Sequence, residues 1–297
     1  MSLVPASVRD RFVAWKSGSL NRKPIVPVIR LSGVIGSAGL RRSGLTLETV
    51  GPMLERAFRF KKAAAVAIIL NSPGGTPVQA RLIYQRIRSL AEKHDRKVFV
   101  FTEDAAASGG YYIAVAGDEI YADPSSIIGS IGVVSSGFGF VQALQKLGIE
   151  RRIHTAGHNK AILDPFQPEK PEDVEHLKSI QLDIHESFKE VVRQRRGERL
   201  KGSEEELFSG QFWAGTKALG LGLVDGLGDM HSVLASKLGE EPKLRVIGAR
   251  ENWLTRRLGR IPGLFGTGGG APDLSAVMAE NIIAAVEDRA LWARFGL

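Results

Sequence analysis

Cysteine is absent from the 297-residue chain, which excludes disulfide bonds, thiolate metal ligands and a cysteine nucleophile. The six histidines lack the paired spacing of a metal site such as His-Glu-X-X-His. We therefore expect no metal and no cofactor. A run of about 18 apolar residues, the length needed to cross a bilayer, is also missing. The sequence at 1–23 lacks the apolar core of a signal peptide.

These absences lead us to expect neither a transmembrane helix nor a cleavable signal peptide, and a location that is cytoplasmic or peripheral to a membrane. The segment 8–16 has the pattern of a short amphipathic helix. Such a helix could lie on a membrane surface, or it could pack on the protein itself or on a partner subunit. The sequence leaves both alternatives open.

The chain carries a net charge of +8 and has an isoelectric point near 9.8. Its basic residues are spread out, with no basic run interleaved with aromatic residues, so we expect no nucleic-acid partner. A diffuse attraction to anionic lipid stays open. Apolar residues make up 43% of the chain and charged residues 24%, which is typical of a globular protein with a substantial core.

Apolar runs and helical periodicity alternate between residues 24 and 155, which predicts an α/β layer with parallel strands. The expected strands are 24–31, 63–70, 97–101, 119–122, 127–134 and 151–155. The expected helices are 45–60, 78–93, 106–116 and 138–147. After them we expect a long helix at 172–196, short helices at 204–208, 214–219 and 230–238, and a late strand at 243–247.

Three segments follow from this pattern. Residues 1–23 form the N-terminal amphipathic segment, and residues 24–240 form the main domain. Residues 241–297 hold the late strand, a glycine-rich linker at 262–272 and an amphipathic tail helix at 274–295.

Ser108 lies in the stretch EDAAASGGYY, where a buried strand is expected to give way to a helix. Small residues surround it on both sides. A substrate backbone could approach such a serine closely, and the amide of Gly109 is free to point at an oxygen. Serine is also a common helix N-cap. The motif alone therefore leaves a nucleophile and a cap as alternatives.

A nucleophilic serine needs a general base, and two residue types could supply it. The histidine candidates are His94, His154 and His158, of which His94 lies among charged residues typical of an exposed helix end. Lys160 lies in the same loop as His158. A lysine acts as a base only if burial lowers its pKa from about 10.4 toward about 7–8. An ordinary surface lysine is the alternative.

Glycine-rich turns supply the expected oxyanion donors. A buried strand is expected to end at NSPGG, whose last residues are Gly74 and Gly75. Their amides could face the same crevice as Ser108, because parallel sheets place their sites at the carboxyl ends of strands. Plain turn chemistry is the alternative for these glycines. Ser130, in the sequence IGSIG, could orient an amine, or it could be a turn hydroxyl.

Taken together, five ordered motifs resemble peptidase family S49, the family of signal peptide peptidase A and its SohB-like relatives. In chain order they are NSPGG at 71–75, ASGGYY at 107–112, IGSIGV at 128–133, GHNK at 157–160 and FSGQFWAGTKALGLGLVD at 208–225. The resemblance extends from about residue 25 to about residue 234.

This resemblance implies a ClpP/crotonase-like α/β fold of repeated ββα units with additional C-terminal helices. It also implies a serine-type, ATP-independent peptidase with a Ser-Lys dyad. Ser108 matches the nucleophile of the family, Lys160 its general base, and Ser130 the serine that hydrogen-bonds this lysine. The expected oxyanion donors are Gly74, Gly75 and Gly109.

Family members form rings or domes with shared active sites, so the resemblance implies a homo-oligomer, either a tetramer or an octamer. The implied substrates are signal-peptide remnants or other hydrophobic peptides near a membrane. Small apolar residues around Ser108 favour small or apolar side chains beside the scissile bond. The sequence departs from the family by lacking an N-terminal membrane anchor and by its short, single-copy form.

Two other functions fit parts of the pattern. The same fold is found in crotonase-type acyl-CoA enzymes, in which Glu103 or Asp104 would be the base, but the Ser-Lys pair would then have no role. A catalytically silent oligomeric scaffold for membrane proteins is the non-enzymatic alternative, and the presence of both Ser108 and Lys160 argues against it.

Overall fold

The computed structural model describes residues 23–36, 44–248, 286 and 289–297. Its strands form one sheet and are, in chain order, β1 (Ile25–Ser32), β2 (Val66–Ser72), β3 (Val98–Ala107), β4 (Glu119–Ala122), β5 (Ile127–Gly129), β6 (Phe212–Ala214), β7 (Gly226–Leu227) and β8 (Lys243–Val246). The spatial order is β6-β5-β3-β2-β1-β8, and β4 joins β3 to β7 beside this path.

Helices connect most of these strands. The α-helices between β1 and β8 are α1 (Leu47–Phe58), α2 (Pro77–His94), α3 (Gly109–Ala114), α4 (Val141–Leu147), α5 (Pro171–Arg196), α6 (Glu204–Leu207), α7 (Gly215–Gly220) and α8 (Met230–Leu238). The β1-α1-β2-α2-β3 succession joins parallel strands through helices, which is the arrangement expected from the alternating pattern.

The strand β3 divides one of its edges between two partners. Its first half, Phe99–Thr102, pairs with β4, and its last residues, Ala105–Ala107, pair with β5. Its other edge pairs with β2 along most of its length. These pairings are parallel, whereas β5 and β6 are antiparallel. The carboxyl ends of β2, β3 and β5 therefore meet at one place.

Both faces of the central strands are buried. Successive side chains of a strand point to opposite sides of the sheet, so each strand contributes to two separate clusters of core residues. In β3, Val98 and Val100 belong to one core cluster and Phe99 and Phe101 to another. The first cluster includes inward residues of α1, α2, α3 and α5, and the second includes Leu234 of α8. The continuous apolar character of these strands is explained by this two-sided burial.

Most expected elements are present, with boundaries shifted by a few residues. The largest shift is at β3, which continues to Ala107, so the helix expected at 106–116 begins only at Gly109. Alanine favours a helix, but here its backbone pairs with β5, and tertiary pairing overrides propensity. The strand expected at 127–134 ends at Gly129.

One other expectation is contradicted, and some cannot be compared. The prediction of a strand at 151–155 is wrong, because these residues are exposed and have no strand partner among the described residues. The late strand β8 pairs with β1, so it belongs to the same sheet as the main domain. The amphipathic helix at 8–16, the linker at 262–272 and most of the tail helix at 274–295 lie outside the described residues.

A buried ion pair fixes the end of α5 to the body of the protein. The Arg196 side chain is 1% exposed, and its Nη1 lies 2.7 Å from Asp225 Oδ2. Its Nε and Nη2 both donate to the Gly222 carbonyl oxygen. The same Asp225 oxygen accepts the backbone N–H of Ile120 in β4. The pair therefore links α5, the 222–225 turn and the sheet.

We predict that Asp225→Ala lowers the free energy of unfolding by about 3 kcal/mol or more, because it leaves a buried guanidinium uncompensated. Urea unfolding followed by circular dichroism measures this change. Glu206→Ala is the matched control, since it removes an exposed ion pair with Lys217 and should change stability little. Equal effects of the two substitutions would show that the Arg196 pair does not anchor α5.

Candidate active site

Ser108 lies between β3 and α3, at the carboxyl end of the strand. Its backbone has φ 52° and ψ −122°, a conformation that residues with side chains rarely adopt. The turn is held on both sides: the Ser108 N–H donates to Gly129 O at 2.8 Å, and Ser108 O accepts the Tyr112 N–H at 3.0 Å. A sharp turn of this kind presents the side chain at the edge of the sheet.

The Ser108 hydroxyl does not cap the helix that it precedes. Ser108 occupies the N-cap position of α3, but its side chain makes no capping hydrogen bond. Of the two alternatives that the sequence leaves open, the structural cap is therefore excluded by the geometry. The hydroxyl stays available for another partner.

Three glycines pack around this serine. A side chain on Gly74 would place its Cβ 2.8 Å from Ser108 Cβ, so glycine is required for this approach. Gly75 has φ +140°, and a Cβ there would lie 2.0 Å from Ile35 O. A Cβ on Gly109 would lie 3.5 Å from the Gly75 amide nitrogen. The chain thus brings all three glycines together at Ser108.

The amides of these glycines differ in what they bind. The Gly74 N–H donates to Ser72 Oγ at 3.3 Å. Within the described part of the chain, the amides of Gly75 and Gly109 take part in no hydrogen bond. Two unused N–H groups beside a serine hydroxyl are what a developing oxyanion needs. Gly75 and Gly109 fit this role better than Gly74.

Ser130 follows β5 and is held next to the same turn. It is 3% exposed and has φ 52°. Its N–H donates to Gln211 O at 2.6 Å, and the preceding residue, Gly129, accepts the Ser108 N–H. The next residue, Ile131, contacts α5 through its carbonyl oxygen, 3.1 Å from His185 Nε2. Ser130 is thus positioned from both sides near Ser108.

A cavity of about 280 Å³ opens beside Ser108. Its walls come from four parts of the chain: Gly75 with the start of α2, the Ser108 turn with α3, the segment that follows Ser130, and the middle of α5. Apart from Ser108, the lining residues are Gly75, Pro77, Val78, Arg81, Gly109, Tyr112, Gly132, Val133, Asp183, Ile184, Ser187 and Phe188. Most of the wall is apolar, and the charged side chains are Arg81 and Asp183.

The two tyrosines after Ser108 differ in their surroundings. Tyr111 is fully buried and donates its hydroxyl to Leu223 O at 2.7 Å, so it joins α3 to the turn that holds Asp225. Tyr112 lines the cavity and packs against Phe188, with ring centroids 4.8 Å apart. Burial raises the pKa of the Tyr112 hydroxyl, which keeps this side chain uncharged.

The α5 wall was not found from the sequence. The sequence predicts the long helix, but its pattern gives no sign that Ile184 and Phe188 line the Ser108 cavity. Asp183 and Ser187 carried no signal at all. Arg81 is exposed and also lines the cavity. These contacts depend on how α5 is anchored, which is not a local property.

Lys160 lies outside the cavity of its own chain. It is exposed, in a segment without helix or strand, and its N–H donates to Gly157 O at 3.3 Å. In the part of the chain that the structure describes, the cavity lining includes neither Lys160 nor Ser130, nor any of the histidine candidates. The pairing of Lys160 with Ser108 stays a prediction.

The carboxylates of the acyl-CoA alternative are engaged elsewhere. Glu103 forms an ion pair with Arg30, and Asp104 accepts the Asn71 side-chain amide at 2.6 Å. Neither carboxylate lines the cavity beside Ser108. The geometry gives no support to either one as a base in this cavity.

The chain is similar in sequence to known proteins. Residues 91–243, just over half of the chain, match the family model of Peptidase family S49. A Synechocystis protein named as a protease, slr0021, is 33% identical over 232 residues, which is 77% of this chain and 79% of that protein. The sheet and helices described above are accordingly the ClpP/crotonase-like fold.

Two longer relatives match part of their length. A Brucella abortus (strain 2308) protein named Na(+)/H(+) antiporter NhaA is 54% identical over 275 residues, covering 92% of this chain and 37% of that protein. The chloroplastic serine protease SPPA of Arabidopsis thaliana is 28% identical over 226 residues, covering 74% of this chain and 33% of that protein. This chain thus spans about a third of each.

No helix among the described residues combines the length and the apolar character needed to cross a membrane. The family match at residues 91–243 includes the Ser108 turn and the segment that carries Lys160. On these matches, the chain belongs to peptidase family S49.

Proposed function

We propose that this protein is a serine endopeptidase that hydrolyses peptide bonds with Ser108 as nucleophile and Lys160 as general base. The observation that carries the proposal is the Ser108 turn: a strained serine, not used as a cap, beside two unused amides and an apolar cavity. A residue other than glycine is held at this φ only where the surrounding structure overrides the strain, which is common at active sites.

In the first step, the uncharged Lys160 amine accepts the proton of the Ser108 hydroxyl while Oγ attacks the carbonyl carbon of the substrate. The N–H groups of Gly75 and Gly109 bind the resulting oxyanion. The Lys160 ammonium then gives its proton to the leaving amine nitrogen, and the C–N bond breaks. The products are a free amine and an acyl ester on Ser108.

In the second step, Lys160 accepts a proton from water, and the hydroxide formed attacks the ester. The C–O bond to Ser108 breaks, the proton returns to Oγ, and a carboxylic acid leaves. Ser130, buried next to Ser108, would hold the lysine amine through its hydroxyl. Neither step uses ATP, a metal or a cofactor.

We propose further that the dyad forms between subunits of a homo-oligomer, a tetramer or an octamer. Lys160 is exposed, and it does not line the cavity beside Ser108 of its own chain. The neighbouring segment exposes large apolar side chains, among them Val134, Phe138, Leu147 and Ile149. Another copy would bury these side chains and receive Lys160 at its Ser108.

The cavity supports hydrophobic peptides as substrates. Val78, Ile184 and Phe188 can contact an apolar side chain beside the scissile bond, and such burial is favourable. We therefore propose that the protein degrades signal-peptide remnants or other hydrophobic, membrane-associated peptides. Contact with the membrane surface would be peripheral.

We predict that Ser108→Ala and Lys160→Ala each lower kcat at least about a thousandfold, because each removes a group needed in the transition state. Hydrolysis of a fluorogenic hydrophobic peptide measures this loss, and mass spectrometry should locate a serine-directed phosphonate on Ser108. Ser125→Ala and Lys62→Ala are matched controls at exposed positions outside the cavity and outside the proposed interface. Wild-type turnover in either dyad variant would disprove the assignment.

We predict that mixing the two inactive variants restores part of the activity. In a mixed oligomer, the intact Lys160 of a Ser108→Ala copy can reach the intact Ser108 of a Lys160→Ala copy. The test is to unfold and refold the variants together and to compare peptide hydrolysis with that of each variant refolded alone. If mixed oligomers form and stay inactive, the dyad lies within one chain.

We predict that Ser108→Gly raises the free energy of unfolding by about 1 kcal/mol relative to Ser108→Ala, because glycine relieves the strain of a positive φ and alanine does not. Chemical unfolding of the two inactive variants measures the difference. The comparison is matched, since both variants lack the hydroxyl. Equal stability would mean that no strain is stored at the turn.

A further inference from the structure

The segment that carries Lys160 is a loop with a closed base. At the base, Arg151 Nη2 lies 3.0 Å from Asp164 Oδ2, so an ion pair joins the two ends of the loop. The Asp164 side chain is 4% exposed and that of Arg151 is 35% exposed. Asp164 Oδ2 makes no hydrogen bond within the described residues, so the Arg151 charge is what compensates this buried carboxylate oxygen, which makes the pair different from ordinary surface pairs.

Aromatic packing completes the base of the loop. The Arg151 guanidinium lies over the Phe166 ring, 4.6 Å from its centroid, and Phe166 stacks on Phe140 at 5.4 Å. The Phe140 N–H donates to Pro165 O at 2.6 Å. The second Asp164 oxygen, Oδ1, accepts the Phe166 N–H at 3.1 Å. The base is therefore tied to the residue that precedes α4.

The loop above this base has little internal support. Residues 152–163 contain no helix or strand in the described structure, and most of them are exposed. The Lys160 backbone makes one turn-like hydrogen bond, to Gly157 O. Leu163, next to Asp164, has φ 55°, a left-handed conformation that residues other than glycine rarely adopt. The direction in which Lys160 projects is thus set mainly at the two ends of the loop.

We propose that the Arg151–Asp164 ion pair positions Lys160 for its role as the base. This inference rests on the proposed function. A general base must reach within hydrogen-bond distance of the proton that it removes, and a lysine on an exposed loop meets this requirement only if the loop is held in one arrangement. Arg151 and Asp164 are positioning residues: they act on the reaction through Lys160 and touch no substrate.

The test is Asp164→Asn, which keeps the shape of the side chain and the acceptor for the Phe166 N–H but removes the charge. We expect kcat to fall roughly tenfold to a hundredfold with little change in KM, because a misplacement of about 1 Å has an effect of this size. The rate of Ser108 labelling by a phosphonate should fall by a similar factor. Asp164→Glu, which restores the charge, should recover part of both rates.

The same segment offers a matched control. Glu150 pairs with Arg152 at 2.8 Å, but their side chains are 72% and 75% exposed. Glu150→Gln removes the same charge from the adjacent ion pair, and we expect wild-type kcat and labelling rate, since exposed pairs contribute little. Light scattering on all variants measures oligomer size, and thermal unfolding measures stability. If Asp164→Asn does not fold, Arg151→Gln tests the same pair from its exposed side.

Several results would overturn the inference. Asp164→Asn could match Glu150→Gln in kcat, it could raise KM at constant kcat, or it could lose the oligomer together with the activity. The first result would mean that the Arg151–Asp164 pair has no role in catalysis. The second would mean that the loop binds substrate. The third would mean that the pair acts by stabilising the oligomer. Failure of the proposed function is distinguished by Lys160→Ala, which would then keep wild-type activity whatever Asp164→Asn does.

Discussion

The pairing of β3 with two different strands on one edge is the constraint on which the rest of the site depends. Because β4 takes the first half of that edge and β5 the second, β3 extends beyond β4 and carries its last alanines to the level of Gly129. On the opposite edge, Ser72 pairs with Ala106. Three strand ends, with their glycine-rich turns, are thereby fixed against one another by backbone hydrogen bonds.

This arrangement explains the small residues around Ser108. Backbone from the NSPGG turn approaches the serine so closely that Gly74 has no room for a Cβ, and Gly110 is packed against Ser72 in the same way. Bulk at any of these positions would separate the strand ends and remove the amides from the serine. The small residues and the strained serine are therefore two consequences of the same close approach.

The sequence predicted the central part of this structure because the relevant signals are local. Apolar runs mark the strands, helical periodicity marks α1, α2 and α5, and turns at strand ends must meet at one edge of a parallel sheet. The position of α5 was not predictable, because it depends on the contact of Arg196 with Asp225 across the fold. The extension of β3 also depends on a partner strand, which outweighs the helical preference of alanine.

The surroundings of the Lys160 side chain could not be predicted from the sequence, for a different reason. Its motif identifies the residue, but the loop is exposed in the single chain. Local sequence can identify a residue type and a turn. It cannot supply the contacts that the proposed assembly would form between copies.

The separation of the serine cavity from the lysine loop has a consequence for control. In the proposed assembly, a single copy has a serine cavity without a lysine and a lysine loop without a serine, so it has no complete active site. Newly synthesised protein would then have no proteolytic activity until its concentration allows the oligomer to form. Dilution would dissociate the oligomer and remove the activity again. Expression level would thus govern proteolysis directly, without a separate inhibitor.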